Sequence, residues 1–157
     1  YEAALNEYAP LGTEVSVTNT ATVSGTGITP VTAAETVNAE AAPNLAITKS
    51  VSPVPVTENG TLTYTFRIQN YGSVAATNTT GVVITDTFAP VLNNLTAALN
   101  GTAWTAATDY TYNEATGTFS STAGAITVPA ATYTQDSTTG AWVVTPGEST
   151  LVITGTV

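Results

Sequence analysis

Three polar side chains stand where strand alternation calls for apolar ones. In Leu45-Ala46-Ile47-Thr48-Lys49-Ser50-Val51, Lys49 falls on the same face as Leu45, Ile47 and Val51. In residues 15–23, Asn19 shares a face with Val15, Val17, Ala21 and Val23, and in 82–88 Asp86 shares one with Val82, Ile84 and Phe88. A buried ammonium costs several kcal/mol even after relaxation, so it persists only if paired, neutralised or chemically consumed. Lysine, asparagine and an acid are the ingredients of an autocatalytic isopeptide bond. Desolvation favours the neutral amine and the protonated carboxyl. The amine then attacks the Asn19 carboxamide while Asp86 polarises it and shuttles protons. Ammonia leaves, and two strands are covalently joined in a single turnover.

The same residues admit plainer readings. Lys49 and Asp86 form a buried ion pair in one, with Asn19 bonded to backbone. In another, Lys49 reaches solvent at the end of the sandwich. Glu35 shares parity with Val31, Ala33 and Val37 and rivals Asp86 as the acid.

The elements that must position these groups are strands. Leu62, Tyr64, Phe66 and Ile68 alternate with Thr61, Thr63, Thr65 and Arg67, a half-buried strand with two distinct faces. Further strands are expected over 31–38, 109–113, 118–121, 125–128, 141–145 and 150–157. Turn signals fall at Glu58-Asn59-Gly60, Asn70-Tyr71-Gly72, Asn100-Gly101, Glu114-Ala115-Thr116-Gly117 and Pro146-Gly147. No amphipathic helix longer than two turns is legible. Many short strands at this spacing predict an all-β, immunoglobulin-like sandwich. The stretch Glu40-Ala41-Ala42-Pro43-Asn44 reads as a linker. It divides an N-terminal hairpin segment with its linker (1–43) from a sandwich body (44–157). A lone hairpin is not stable in water, so its apolar face must be buried by this body or by another copy.

Composition narrows the function. Lys49 and Arg67 are the only basic residues in a chain of net charge −9, which argues against nucleic acid and anionic membrane surfaces. No apolar run is long enough for a transmembrane helix, and no basic-then-apolar leader opens the sequence, as in a processed, secreted chain. Cys, Met and His are absent, which removes disulfides, thiol nucleophiles and histidine bases. No cofactor or metal is expected; the aspartates and glutamates are scattered without calcium-loop spacing. No second acid is placed by a motif beside Asp86, so a conventional enzyme is not expected either. Asn-x-Thr sequences at Asn59, Asn78, Asn94 and Asn100 arise easily by chance in a threonine-rich chain.

Residues 44–53 with their Ile47-Thr48-Lys49-Ser50-Val51-Ser52-Pro53 core, then 61–70, then 82–87, resemble the opening of a bacterial surface-repeat family, domain of unknown function eleven. Residues 19–23 and 31–37 resemble the last two strands of that family, so the ending motif precedes the opening one. The resemblance implies an extracellular immunoglobulin-like module, with Lys49, Asp86 and Asn19 on the family's recurring Lys, Asp and Asn positions. The trio also looks like the isopeptide trios of Gram-positive adhesins and pilins.

The permuted order carries the functional expectation. A body short of its closing strands and a segment that supplies such strands would join head to tail, each copy completing its neighbour. Repeated, that is a heterologous contact building an open filament, a surface fibre of copies of this chain. The rival expectation is an adhesin or carbohydrate-binding module, with Trp104, Tyr110, Tyr112, Tyr133 and Trp142 as a sugar-stacking platform.

Overall fold

A computed structural model of the chain describes residues 16–38 and 41–157. The first two strands, β1 (Ser16–Gly25) and β2 (Ile28–Asn38), form an antiparallel hairpin that turns at Gly27, whose φ is +76°. Strands β3 (Leu45–Ser52), β4 (Thr61–Asn70), β6 (Asn93–Leu99), β7 (Thr102–Ala103) and β12 (Gly147–Thr156) form a five-stranded sheet in the order β3-β4-β12-β6-β7. A second sheet runs β5-β9-β8, from β5 (Thr85–Thr87), β8 (Tyr110–Asn113) and β9 (Thr118–Ser121). A short hairpin of β10 (Thr132–Gln135) and β11 (Trp142–Thr145) stands apart from both sheets. The one helical element among the described residues is a 3-10 turn at Asn78–Thr80. The chain is therefore an all-β sandwich of antiparallel sheets, as its alternation predicts.

The core forms where the alternating faces meet. Leu62, Tyr64, Phe66 and Ile68 of β4 and Leu151 and Ile153 of β12 face Tyr110 of β8 and Phe119 of β9, with Ile84 and Phe88 flanking β5. Tyr110 stacks on Phe119 at a centroid separation of 5.4 Å, and burial pushes its phenol above the ordinary range. The threonines of β4 and β12 take the opposite faces, where β-branched side chains suit a pleated, half-exposed surface.

Several strands differ from the sequence expectation. Residues 125–128 form no strand; Val128 makes only an isolated bridge to Ala76, because Pro129 follows and the chain turns into the core there. The strand expected over 82–88 is ladder-paired only at Thr85–Thr87. β6 was not legible, since Asn93-Asn94-Leu95-Thr96-Ala97-Ala98-Leu99 lacks a β-branched run; it is a strand because β12 presents a free ladder beside it. Its end at Asn100-Gly101 is the expected turn, with φ of +50° and +80° leading into β7.

The turn between β8 and β9 holds β5 in place. Phe88 donates its backbone N–H to the Gly117 carbonyl at 2.9 Å. Gly117 has φ +72°, and a Cβ there would lie 2.4 Å from the Phe88 carbonyl oxygen. Both the dihedral and the close approach demand glycine. Gly117→Ala is expected to destabilise the chain by more than about 1 kcal/mol in urea unfolding; an unchanged midpoint would contradict this.

Candidate crosslinking site at an open sandwich edge

Antiparallel register places Lys49 opposite Phe66, Val51 opposite Tyr64 and Ile47 opposite Ile68, all core residues of β4. Residues directly opposite in a ladder share a face, so Lys49 lies on the core side of β3, as its parity predicts. Asp86 likewise sits opposite the fully buried Phe119. The two side chains meet: Lys49 Nζ donates to Asp86 Oδ2, while Asp86 Oδ1 accepts the Thr87 backbone N–H at 2.9 Å.

Three aromatic rings line the ammonium. Lys49 Nζ lies 4.8 Å from the Tyr64 centroid, 5.3 Å from Phe88 and 5.5 Å from Phe66. Each such contact is worth about 0.5–1 kcal/mol at an exposed site. Parity identified the Phe66 and Phe88 faces, but not that three rings would converge on one amine.

Lys49 faces the core side without being buried. Its side chain is 40% exposed and that of Asp86 18%. β3 and β5 are each the end strand of their sheets, and the Lys49–Asp86 contact puts those two ends on the same side of the sandwich. Nothing among the described residues spans the gap. Leu45, Ile47 and Val51, the apolar neighbours of Lys49 on that face, are 38, 53 and 39% exposed. The pair as it stands is a solvent-reached ion pair of modest worth, and water competes for both groups.

The remaining candidates lie on the hairpin. Asn19 is the direct ladder partner of Glu35, so the two side chains are neighbours on one face. That face carries Val17 opposite Val37, Ala21 opposite Ala33 and Val23 opposite Val31, while the other is mostly threonine, with Thr18 and Thr36 hydroxyls 2.8 Å apart. Residues 16–37 are exposed throughout, valines included. The structure thus brings Lys49 to Asp86 and Asn19 to Glu35. Among the described residues no hydrogen bond joins the two halves. Of the 1–43 segment, residues 1–15, 39 and 40, and with them Val15 and part of the linker, lie outside the described residues.

Arg67, the other basic residue, is engaged elsewhere. Its guanidinium makes a forked contact with Glu148, whose Oε1 also accepts Gln69 Nε2 at 3.0 Å, on the outer face of the large sheet. The aromatic residues considered as a sugar platform are divided between the core and the β10–β11 hairpin. Tyr110 is buried, Trp104 and Tyr112 pack against the core, and Tyr133 and Trp142 sit half-buried on the β10–β11 hairpin. Tyr112 is pinned further, its hydroxyl donating to the Leu92 carbonyl at 2.9 Å.

Among the described residues, fold and site define an all-β sandwich with an inner edge that no strand covers and a separate, exposed hairpin. No family model, curated protein or solved structure matches the chain.

Proposed function

We propose that this chain is a structural subunit, or repeating unit, of an extracellular surface filament. Copies join head to tail, the β1–β2 hairpin of one filling the open edge of the next. The observation that carries the reading is a pair of exposed apolar surfaces: an inward-facing row on β3 that no strand among the described residues covers, and a hairpin whose valine face is exposed. Each needs a partner of the kind the other supplies, and strand addition closes an edge that otherwise invites uncontrolled pairing.

Docking also supplies what the Lys49–Asp86 pair lacks. A hairpin over the gap excludes water and delivers Asn19 to the amine. Lys49 Nζ then bonds to Asn19 Cγ, and the Cγ–Nδ2 bond breaks. Asp86 carries a proton from the attacking nitrogen to the leaving one, which departs as ammonia. In a chain without cysteine this bond takes the part of an interchain disulfide.

Boiling purified protein in SDS and recording the size ladder and intact mass tests both layers. Multiples of the chain, each junction lighter by one ammonia, are expected. A monomer lighter by one ammonia would mean that the hairpin closes its own body. A monomer of unmodified mass that also fails to assemble undenatured would overturn the filament reading.

A further inference from the structure

Resting on the filament reading, we propose that the hairpin of a second copy enters with β2 running parallel to β3, in the register that sets Glu35 level with Lys49.

The two apolar rows have the same order. Along β3 the core-side residues are Leu45, Ile47, Lys49 and Val51; along the valine face of β2 they are Val31, Ala33, Glu35 and Val37. Read in the same direction, both rows run apolar, apolar, charged, apolar. Parallel docking therefore stacks apolar on apolar at three levels and anion beside cation at the fourth. Asn19 comes to that level as well, because the hairpin ladder already holds it opposite Glu35. With β1 between β2 and β5, Asn19 lies between the β3–β2 side of the gap and Asp86.

At full overlap the reverse polarity sets Glu35 against Ile47 and Lys49 against Ala33, closing the Glu35 carboxylate into apolar surroundings without a cation. Slipped by two residues, the reverse polarity restores the charge pair but leaves Leu45 and Val31 without apolar partners. In the parallel polarity a slip of one residue turns the threonine face inward. A slip of two separates Glu35 from Lys49 again.

Parallel docking also decides whose hairpin it is. Only residues 39–44 separate the end of β2 from the start of β3. A parallel connection needs a crossover of about a dozen residues or more. In the proposed register Asn38 lies beyond Val51, and the chain would have to return the length of the strand to reach Leu45. The seven Cα steps from Asn38 to Leu45, even fully extended, reach only about 23–25 Å, about the length of strand to be retraced with nothing left for the turns. The partner is therefore a second copy.

The chain has no cysteine, so interchain disulfides can report the register. A chain with Val37→Cys is mixed with a chain carrying Val51→Cys, under mild oxidation and without denaturant. Both positions are exposed, 51 and 39%, so neither change disturbs the core. A reductant-sensitive mixed dimer is expected from this pair. The pair Val31→Cys with Val51→Cys, which the opposite polarity would join, is expected to stay unlinked. Trapping of 31 with 51 in its place, or within one chain carrying both, would overturn the inference. So would copies that associate by size with neither pair trapped, leaving the filament reading intact. Copies that do not associate at all would overturn both.

Discussion

Lys49→Ala is expected to remove every SDS-resistant multimer and collapse the ladder to a single band of unmodified mass. The effect is all-or-none because no other side chain can replace the nucleophile. Lys49 is the only lysine, and the Arg67 guanidinium is held by Glu148 on the outer face. Asn19→Ala gives the same loss by removing the carbon that is attacked. Asp86→Asn separates chemistry from docking: it keeps the shape and the Thr87 contact but cannot relay a proton. Bond formation should slow by about 10²–10⁴-fold, while undenatured copies still associate. Glu35→Gln measured beside it decides which acid serves, since docking brings both carboxylates to the amine. If intact mass shows no loss of ammonia in the native protein, the crosslink falls and Lys49–Asp86 is an ion pair only.

The second large effect is on stability, at Asn70→Leu. Asn70 is fully buried, at 0% exposure, and every hydrogen-bonding position of its amide is used. Its Oδ1 accepts the backbone N–H groups of Asn44 and Gly72, each at 2.9 Å. Its Nδ2 donates to the carbonyls of Val74 at 2.8 Å and Pro129 at 3.0 Å. One side chain ties the approach to β3, the turn after β4 and the segment before β10. Leucine of similar volume leaves these backbone groups without their partner, at about 1–3 kcal/mol for each that stays buried and unsatisfied. A loss of about 3–5 kcal/mol in chemical unfolding is expected, in the range of broken buried networks. Asn70→Asp should fall in the same direction, having lost both donors. A loss below about 1 kcal/mol would show that water replaces the amide. Because Asn70 positions the chain entering β3, the open edge should lose its order along with stability.

How far the site could be read in advance differs from residue to residue. The side of β3 on which Lys49 lies was legible because strand periodicity is two and the flanking Leu45, Ile47 and Val51 leave one choice of face. The same rule placed Asp86 and Asn19. Glu35 was legible as an acid of the right parity, but not as the ladder neighbour of Asn19, since pairing depends on where the hairpin turns. Gly25 and Gly27 set that register, with its shift between Val23 and Gly25. The aromatic lining of the amine came from one strand, β4, and the loop end at Phe88, and no local pattern joins them.

Asn70 illustrates the opposite limit. In the sequence it reads as the first residue of a turn, Asn70-Tyr71-Gly72. Its four partners lie as far as Pro129, 59 residues away, and only the closed fold reveals that it serves all of them. The strand β6 is similar: its residues have little β-preference, and the free ladder of β12 makes them a strand.

The amino-acid order alone determined that this chain is all-β, that it has a single nucleophilic amine on a core-side face, and that sulfur and imidazole chemistry are closed to it. These follow from alternation and composition, which are local. Tertiary structure decided that Lys49 meets Asp86 at the common edge of two sheets, and that none of the described residues covers this edge. Parity tells which way a side chain points, but burial depends on whether another sheet reaches that far. Here the opposing sheet stops at β5, and the lysine is left facing a gap that the valine face of a hairpin matches.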